Sequence, residues 1–264
     1  MNWIEVTALI VSGIVVGFIN TLAGGGSVIS LSLFLFLGLP LDVANGTNRI
    51  AIVLQNLTSV GMFLQKKVLE LRKATWLALP AVAGSIVGAQ IAVDIDKVVI
   101  ERAFAAILLL MIFFMLVKPS TYLHGNTEKQ GRPVSLFQVF IFFLIGIYGG
   151  FIQVGIGYFL LAALVVGAGF DLVKANAIKV WIVLLYSPVA LTIFILNGAV
   201  NWHFGLVHGI GNIMGALVAS QMATAKGVGF VKWVIIAVIL ITSAQLFGLY
   251  DFNALIGFFI PQRQ

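Results

Sequence analysis

Gly24-Gly25-Gly26-Ser27 and its echo Gly155-Ile156-Gly157-Tyr158 are the two stretches on which the reading of this chain turns. Each closes a long apolar run and opens a short one. The short runs, residues 28–39 and 158–169, have 12 residues each. A helix of that length covers about 18 Å of a hydrocarbon core roughly 30 Å thick. Each short run ends in a second punctuated loop, Gly38-Leu39-Pro40-Leu41-Asp42 or Gly167-Ala168-Gly169-Phe170-Asp171. Gly24, Gly26 and Gly38 map onto Gly155, Gly157 and Gly169 at a constant offset of 131. After a one-residue gap, Arg49-Ile50-Ala51-Ile52-Val53-Leu54 matches Lys179-Val180-Trp181-Ile182-Val183-Leu184 at an offset of 130. Further on, Gly84-Ser85-Ile86-Val87-Gly88-Ala89 matches Gly211-Asn212-Ile213-Met214-Gly215-Ala216. Three blocks in the same order describe a chain of two homologous halves.

Outward from these breaks, the apolar segments fall at residues 3–22, 28–39, 43–64, 74–93, 98–117, 136–151, 158–169, 172–196, 204–223 and 231–249, five to each half. A final apolar piece, 252–260, is too short to span and is expected at the interface. The expected fold is an all-α polytopic membrane protein of two inverted repeats, each with one short or broken segment, giving eight to ten transmembrane helices. Residues 1–118 form the first repeat, 119–133 a polar cytoplasmic linker and 134–264 the second repeat.

Composition demands the same class. Of 264 residues, 61% are apolar and 9% charged, and mean hydropathy is +1.13. A soluble domain carries roughly 25% charged residues. Fifteen Lys and Arg and nine Asp and Glu cannot cover a water-facing surface. A soluble enzyme, a disordered chain and a nucleic-acid binder are excluded, the last despite a net charge of +6, because no basic patch carries exposed aromatics. Cysteine is absent, so disulfides, thiolate catalysis and thiolate-bound metals are excluded. The first apolar run lacks a basic leader region and reads as a membrane helix rather than a cleaved signal.

Orientation follows the bias of Lys and Arg towards cytoplasmic loops. Lys66, Lys67, Arg72 and Lys73 lie in one loop, Lys118, Lys129 and Arg132 in the linker, and Lys226 and Lys232 in a third loop. All read cytoplasmic. The loops 94–97 and 197–203 read external. Ten crossings satisfy every assignment, with both termini outside and five segments per half, which makes the halves inverted. If the short segments re-enter instead, eight helices cross, the halves are parallel, and Lys226 and Lys232 fall outside. Trp3, Trp76, Trp202, Trp233 and Tyr250 near segment ends read as interfacial aromatics.

Gly-interrupted segments at matching positions of two halves point to a transport site. Irregular backbone at membrane depth survives where protein or a water-filled cavity satisfies it. Close helix packing through small residues is the competing reading. Behind the first break, Ala44-Asn45-Gly46-Thr47-Asn48-Arg49 opens the third segment, and Ala175-Asn176-Ala177-Ile178-Lys179 is its partner. A cation inside an apolar segment is costly unless it is paired, faces water or snorkels to the interface. Helix N-termini supply free N–H donors and positive potential. Arg49 and Lys179 add full charge, and Asn45, Thr47, Asn48 and Asn176 add hydrogen-bond donors. The set describes an anion site, one from each half, meeting at the centre. Asn20 and Gln153 precede the two breaks and join it, with Gly25, Gly26, Ser27, Gly155 and Gly157 shaping the cavity and Trp181 beside Lys179 lining the pathway. Gln55, Asn56 and Asn212 read as interhelical hydrogen bonds, and His208 as a packing residue with a proton relay as the alternative. No catalytic constellation, metal-ligand spacing or phosphate-binding loop is present, so the chain is expected to be neither an enzyme nor a binder of metal or cofactor.

The run Gly17-Phe18-Ile19-Asn20-Thr21-Leu22-Ala23-Gly24-Gly25-Gly26-Ser27, followed by Ala44-Asn45-Gly46-Thr47-Asn48-Arg49, resembles the sulfite exporter TauE/SafE family of membrane permeases. That family shows a Gly-rich first break and a Thr-Asn-Lys-like triplet. Here the triplet is Thr47-Asn48-Arg49, with Arg for the commoner Lys. In the second half Ala177-Ile178-Lys179 stands where the family more often has His-Thr-Lys, so the cation is kept and its polar neighbours are not. The resemblance covers almost the whole chain. It implies a secondary transporter, an exporter of a small sulfur-containing anion such as sulfite, thiosulfate or an organosulfonate, multi-pass in the inner cell membrane. The alternatives are an anion channel on the same residues and a membrane scaffold subunit without a transport cycle. The expected partners are the anion and the lipid bilayer, with a homo-oligomer left open and nucleic acid excluded.

Overall fold

A computed structural model describes residues 1–22, 24–116, 130 and 133–222. The expected tenth segment, the terminal piece 252–260 and nearly all of the linker lie outside the described residues, as do Lys118, Lys129, Arg132, Lys226, Lys232, Trp233 and Tyr250.

Nine α-helices are found among the described residues: α1 (Trp3–Leu22), α2 (Ser27–Phe36), α3 (Leu41–Gln65), α4 (Leu71–Asp94), α5 (Lys97–Leu116), α6 (Leu136–Phe151), α7 (Ile156–Ala162), α8 (Leu172–Leu196) and α9 (Trp202–Gln221). A π-helical turn, Ala163–Gly167, continues α7. Helices α1, α4 and α8 are long and apolar enough to cross a membrane. Many large apolar side chains stay exposed, among them Trp3, Leu136, Phe137 and Leu196. A water-soluble chain would bury such groups; a lipid-facing one does not need to.

The sequence places α1, α6 and α8 at the observed bounds. The short segments differ for local reasons. Helix α2 stops at Phe36 because the N–H groups of Leu37 and Leu39 turn back to Leu33 and Phe34, and Gly38 takes φ +86°. Helix α7 starts at Ile156 because Gly155, at φ +67°, reverses the chain immediately before it. Helix α3 starts at Leu41 behind Pro40, not at residue 43. Asp171 caps α8 by accepting from the N–H groups of Val173 and Lys174 at 3.1 and 3.0 Å, and Ser135 and Gln138 form a capping box on α6.

Packing is exchanged between the two parts of the chain. Helix α1 lies on α9, and α6 lies on α4. The contacts are backbone to backbone. A Cβ on Gly13 or Gly17 would strike His208 or Asn212, and one on Gly211 or Gly215 would strike Ile10 or Ile14. A Cβ on Gly84 or Gly88 would strike Phe143 or Ile147, and one on Gly146 or Gly150 would strike Ala81 or Ser85. Both pairs advance together along the chain, so α1 runs parallel to α9 and α6 parallel to α4. Small residues let helices approach closely where lipid supplies no hydrophobic drive. Gly88→Val is therefore expected to lower stability by about 2–3 kcal/mol, seen as earlier thermal unfolding in detergent. Gly61→Val is the control, because a Cβ on Gly61 meets nothing within 4 Å.

Helices α3 and α8 cross the middle between these pairs. Lys66 Nζ, just past the end of α3, donates to the Ser220 and Gln221 carbonyls at the end of α9. Lys174, at the start of α8, pairs with Glu70 at 2.9 Å, next to the start of α4. One end of the bundle thus gathers the end of α3 and the starts of α4 and α8, together with Lys66, Lys67, Arg72, Lys73 and Lys174. The start of α3 lies at the other end, where the Thr47 hydroxyl accepts the Asn201 N–H at 2.8 Å beside the start of α9.

Candidate functional site

Sequence pattern places Asn45–Arg49 at a helix start. The structure corrects this. Helix α3 has already run a full turn by Asn45, and the Ala44 N–H already bonds the Pro40 carbonyl. Lys179 likewise stands two turns into α8. Neither cation sits on free helix N–H groups, and neither snorkels: Arg49 is 0% exposed and Lys179 2%.

The opposite helix end holds them. The last four carbonyls of a helix lack intrahelical partners and carry partial negative charge. Lys179 Nζ donates to the Asn20 and Thr21 carbonyls at the end of α1, at 3.0 and 3.1 Å, and to Asn176 Oδ1 at 2.9 Å. Arg49 does the same for α6. Its Nη1 donates to the Gly149 carbonyl at 3.1 Å and its Nη2 to the Gly150 carbonyl at 2.5 Å. Asn45 Nδ2 adds the Phe151 carbonyl at 2.6 Å. With the Ile152 N–H on Tyr148, all four terminal carbonyls of α6 are satisfied. The guanidinium also stacks on the Phe194 ring, 4.6 Å from its centroid. Each cation therefore caps the helix that ends at the other Gly break.

Capping a helix end offsets only part of the cost of a buried charge. A C-terminal dipole contributes at most about 2 kcal/mol, while desolvation costs several kcal/mol per ion. Among the described residues no carboxylate lies within ion-pair distance of Arg49 or Lys179, and the side-chain pairs Lys97–Asp42 and Lys174–Glu70 lie at helix ends. Among the described residues the interior holds two buried cations and no carboxylate to pair with them.

Where the two breaks meet there is a cavity. Gly24, at φ +86°, lies against Gly157 so closely that a Cβ would overlap the Gly157 Cα. Asn20, Gly24, Ser27, Ile52, Gln55, Asn56, Gln153, Ile156, Gly157, Lys179 and Val183 line the space. Its free volume is about 20 Å³, room for about one water. Asn20 holds the first break together, its Oδ1 accepting the Gly26 N–H at 2.7 Å and its Nδ2 donating to Gln55 Oε1 at 3.3 Å and Ser27 Oγ at 3.4 Å. Gln153 holds the second. It takes φ +65°, an uncommon conformation for a residue with a Cβ. Its side chain accepts from Arg49 Nη1 at 3.3 Å and donates to Tyr186 Oη and Ser187 Oγ, both at 3.1 Å.

Of the residues singled out from sequence, Lys179, Asn20, Gln153, Ser27 and Gly157 reach the cavity. Arg49, Asn45 and Asn176 stand behind it as capping groups. Thr47 faces α9, Gly25 packs on Tyr158, and Gly26 and Gly155 shape the breaks. Trp181 points away, its Nε1 donating to Thr75 Oγ1 at 3.0 Å. Asn48 is buried and not among the lining residues. Gln55 and Asn56 do line the cavity, as their spacing of three and four residues from Ile52 on α3 allows. Tyr186 is 130 residues after Asn56, so the repeat offset already linked it to the site. His208 is a satisfied packing residue: Nδ1 meets the Leu9 carbonyl and Nε2 meets Ser30 Oγ, both at 2.9 Å.

Arg49→Lys keeps the charge but loses the fork that serves two carbonyls and Gln153 at once. It is expected to lower stability by about 1–3 kcal/mol, measurable as a lower midpoint of thermal unfolding in detergent.

The chain is 28% identical over 239 residues to a probable membrane transporter protein of a Sinorhizobium species, covering 90% of both chains. It is 27% identical to one from Haemophilus influenzae, covering 90% of this chain and 92% of the other. It is 24% identical to one from Bacillus subtilis, covering 87% and 94%. No solved structure matches it. Residues 9–246 match the family described as Sulfite exporter TauE/SafE. A helical membrane protein of the transporter kind, this chain belongs to the sulfite exporter TauE/SafE family.

Proposed function

We propose that this protein is a secondary transporter, an exporter in the inner cell membrane, for a small sulfur-containing anion such as sulfite, thiosulfate or an organosulfonate. The observation that carries the reading is the pair of buried cations with no carboxylate beside them among the described residues, one of them on the rim of a polar cavity where two chain breaks cross. A desolvated cation gains most from an anion in low dielectric. Lys179 supplies the charge, and Asn20, Ser27, Gln55 and Gln153 supply hydrogen-bonding groups. The reaction is translocation, with no covalent step.

The capping geometry supports a mechanism. An anion at Lys179 competes with the Asn20 and Thr21 carbonyls for the ammonium group. Once the ammonium turns to the anion, the end of α1 is released and the chain hinges at Gly24. Arg49 does the corresponding work for the end of α6 and the break at Gly155. The exchanged packing and the opposite directions of α3 and α8 support two inverted halves that rock about this centre, as in other repeat-built transporters. A cavity with room for one water favours a carrier over an open channel.

Uptake of labelled sulfite, thiosulfate and sulfoacetate into proteoliposomes tests the proposal. Saturable flux of at least one of them is expected. Absence of flux for all three, or flux that rises without limit, overturns the carrier reading.

A further inference from the structure

The side chain of Asn48 is the one place on α3 where a whole amide is left over. The residue is 1% exposed, and neither its Nδ2 nor its Oδ1 has a partner among the described residues. The next residue leaves Arg49 Nε unpartnered as well. Buried amides in proteins are nearly always bonded, because an orphaned one costs free energy. Such a cost persists when an occupant supplies the bonds in another state of the molecule.

Helix geometry shows which face of α3 Asn48 shares. At about 100° per residue, Asn48 projects within about 40° of Ile52 and Gln55, both of which line the central cavity. It lies one turn, about 5 to 6 Å, from Ile52 towards the start of α3. Ser59, on the same face, is bonded to Thr21 at 3.0 Å, and Gln55 is bonded to Asn20. Asn48 alone continues that polar stripe with its bonding capacity unspent. At the corresponding position of α8 stands Ile178, fully buried among apolar side chains. The feature thus belongs to one half of the molecule.

We infer that Asn48 is a second station for the transported anion, one helical turn from the Lys179 cavity, offering the Asn48 amide N–H groups and the Arg49 Nε–H to its oxygens. The inference rests on the anion-carrier reading. An anion leaving Lys179 towards the start of α3 would meet these donors next. The station carries no full charge of its own beyond Arg49, whose fork stays committed to the end of α6, so it binds weakly and passes the anion on.

The test compares wild type with Asn48→Leu and Asn48→Ser, each purified and reconstituted. Sulfite flux, thermal unfolding without ligand, and the thermal shift caused by sulfite are read for all three. Asn48→Leu is expected to unfold at a higher temperature than wild type, because two orphaned atoms are gone. It should keep the sulfite-induced shift, because Lys179 is intact, and lose at least about tenfold in maximal flux. Asn48→Ser, which keeps one donor, should lie between. Wild-type flux in Asn48→Leu, or a lower unfolding temperature in both variants, overturns the station. No sulfite flux and no shift in wild type overturns the carrier reading for sulfite and the station with it. That outcome is distinct from flux that is merely insensitive to Asn48.

Discussion

Replacing Lys179 by methionine is expected to reduce anion flux by about 100-fold or more while leaving the fold intact. Methionine has nearly the length of lysine without its charge, so the space is kept and the attraction is lost. Two effects on stability oppose each other. The Asn20 and Thr21 carbonyls and Asn176 Oδ1 lose their donor, at about 1–3 kcal/mol for each group left unsatisfied. Removing an unpaired buried cation returns several kcal/mol. The two nearly cancel, and the unfolding temperature is expected to move little. Flux has no such compensation: a neutral cavity of about 20 Å³ offers an anion only amides and a hydroxyl. Two orders of magnitude correspond to about 2.7 kcal/mol, well within what one desolvated charge contributes. Flux in proteoliposomes beside thermal unfolding in detergent checks both halves of the expectation. A Lys179→Met protein that transports at the wild-type rate removes Lys179 from the site.

The second large effect is on folding. Gly24→Val is expected to prevent accumulation of a monodisperse folded protein. Gly24 takes φ +86°, where an L side chain costs roughly 1–2 kcal/mol and a β-branched one more. Its Cβ would also overlap the Gly157 backbone, and backbone cannot turn aside as a flexible side chain can. Gly38 separates the two causes. It also takes φ +86°, yet a Cβ there meets nothing within 4 Å. Gly38→Asn is therefore expected to cost no more than about 1 kcal/mol, since Asn tolerates this conformation. Size-exclusion profiles and unfolding temperatures of the two variants give the comparison. Equal tolerance at both positions would mean that the two breaks need not touch.

The two cations are not equivalent, and the difference bears on the proposed transport cycle. Arg49 uses its fork on two carbonyls and Gln153 and stacks on Phe194. Lys179 spends its three donors on three oxygens and borders the cavity. A guanidinium holding five contacts, Asn45 Oδ1 at 3.5 Å among them, is harder to redirect than an ammonium, whose donors rotate about one bond. The hold of Lys179 on the end of α1 is thus the easier to redirect, and that of Arg49 on the end of α6 is the firmer.

Helix placement could be read from the chain because it rests on short-range chemistry. Apolar runs, Pro40, the Asp171 cap and glycines that accept positive φ act within a few residues of themselves. That is why α1, α6 and α8 fall where the pattern puts them. The Gly breaks, Arg49 and Lys179 stood out as matched pairs because they recur at a nearly constant offset in the sequence. What each cation touches is a property of space. The carbonyls of Asn20 and Thr21 are about 160 residues from Lys179, and those of Gly149 and Gly150 about 100 from Arg49. No spacing rule connects them, so the sequence pattern assigned both cations and their asparagines to a ligand, and Trp181 to the pathway. Folding brought each cation to a helix end that lacked donors, turned Trp181 to Thr75, and put Gln55 and Asn56 on the cavity wall. Burial without a partner, the property that marks Asn48, exists only once every neighbour is in place.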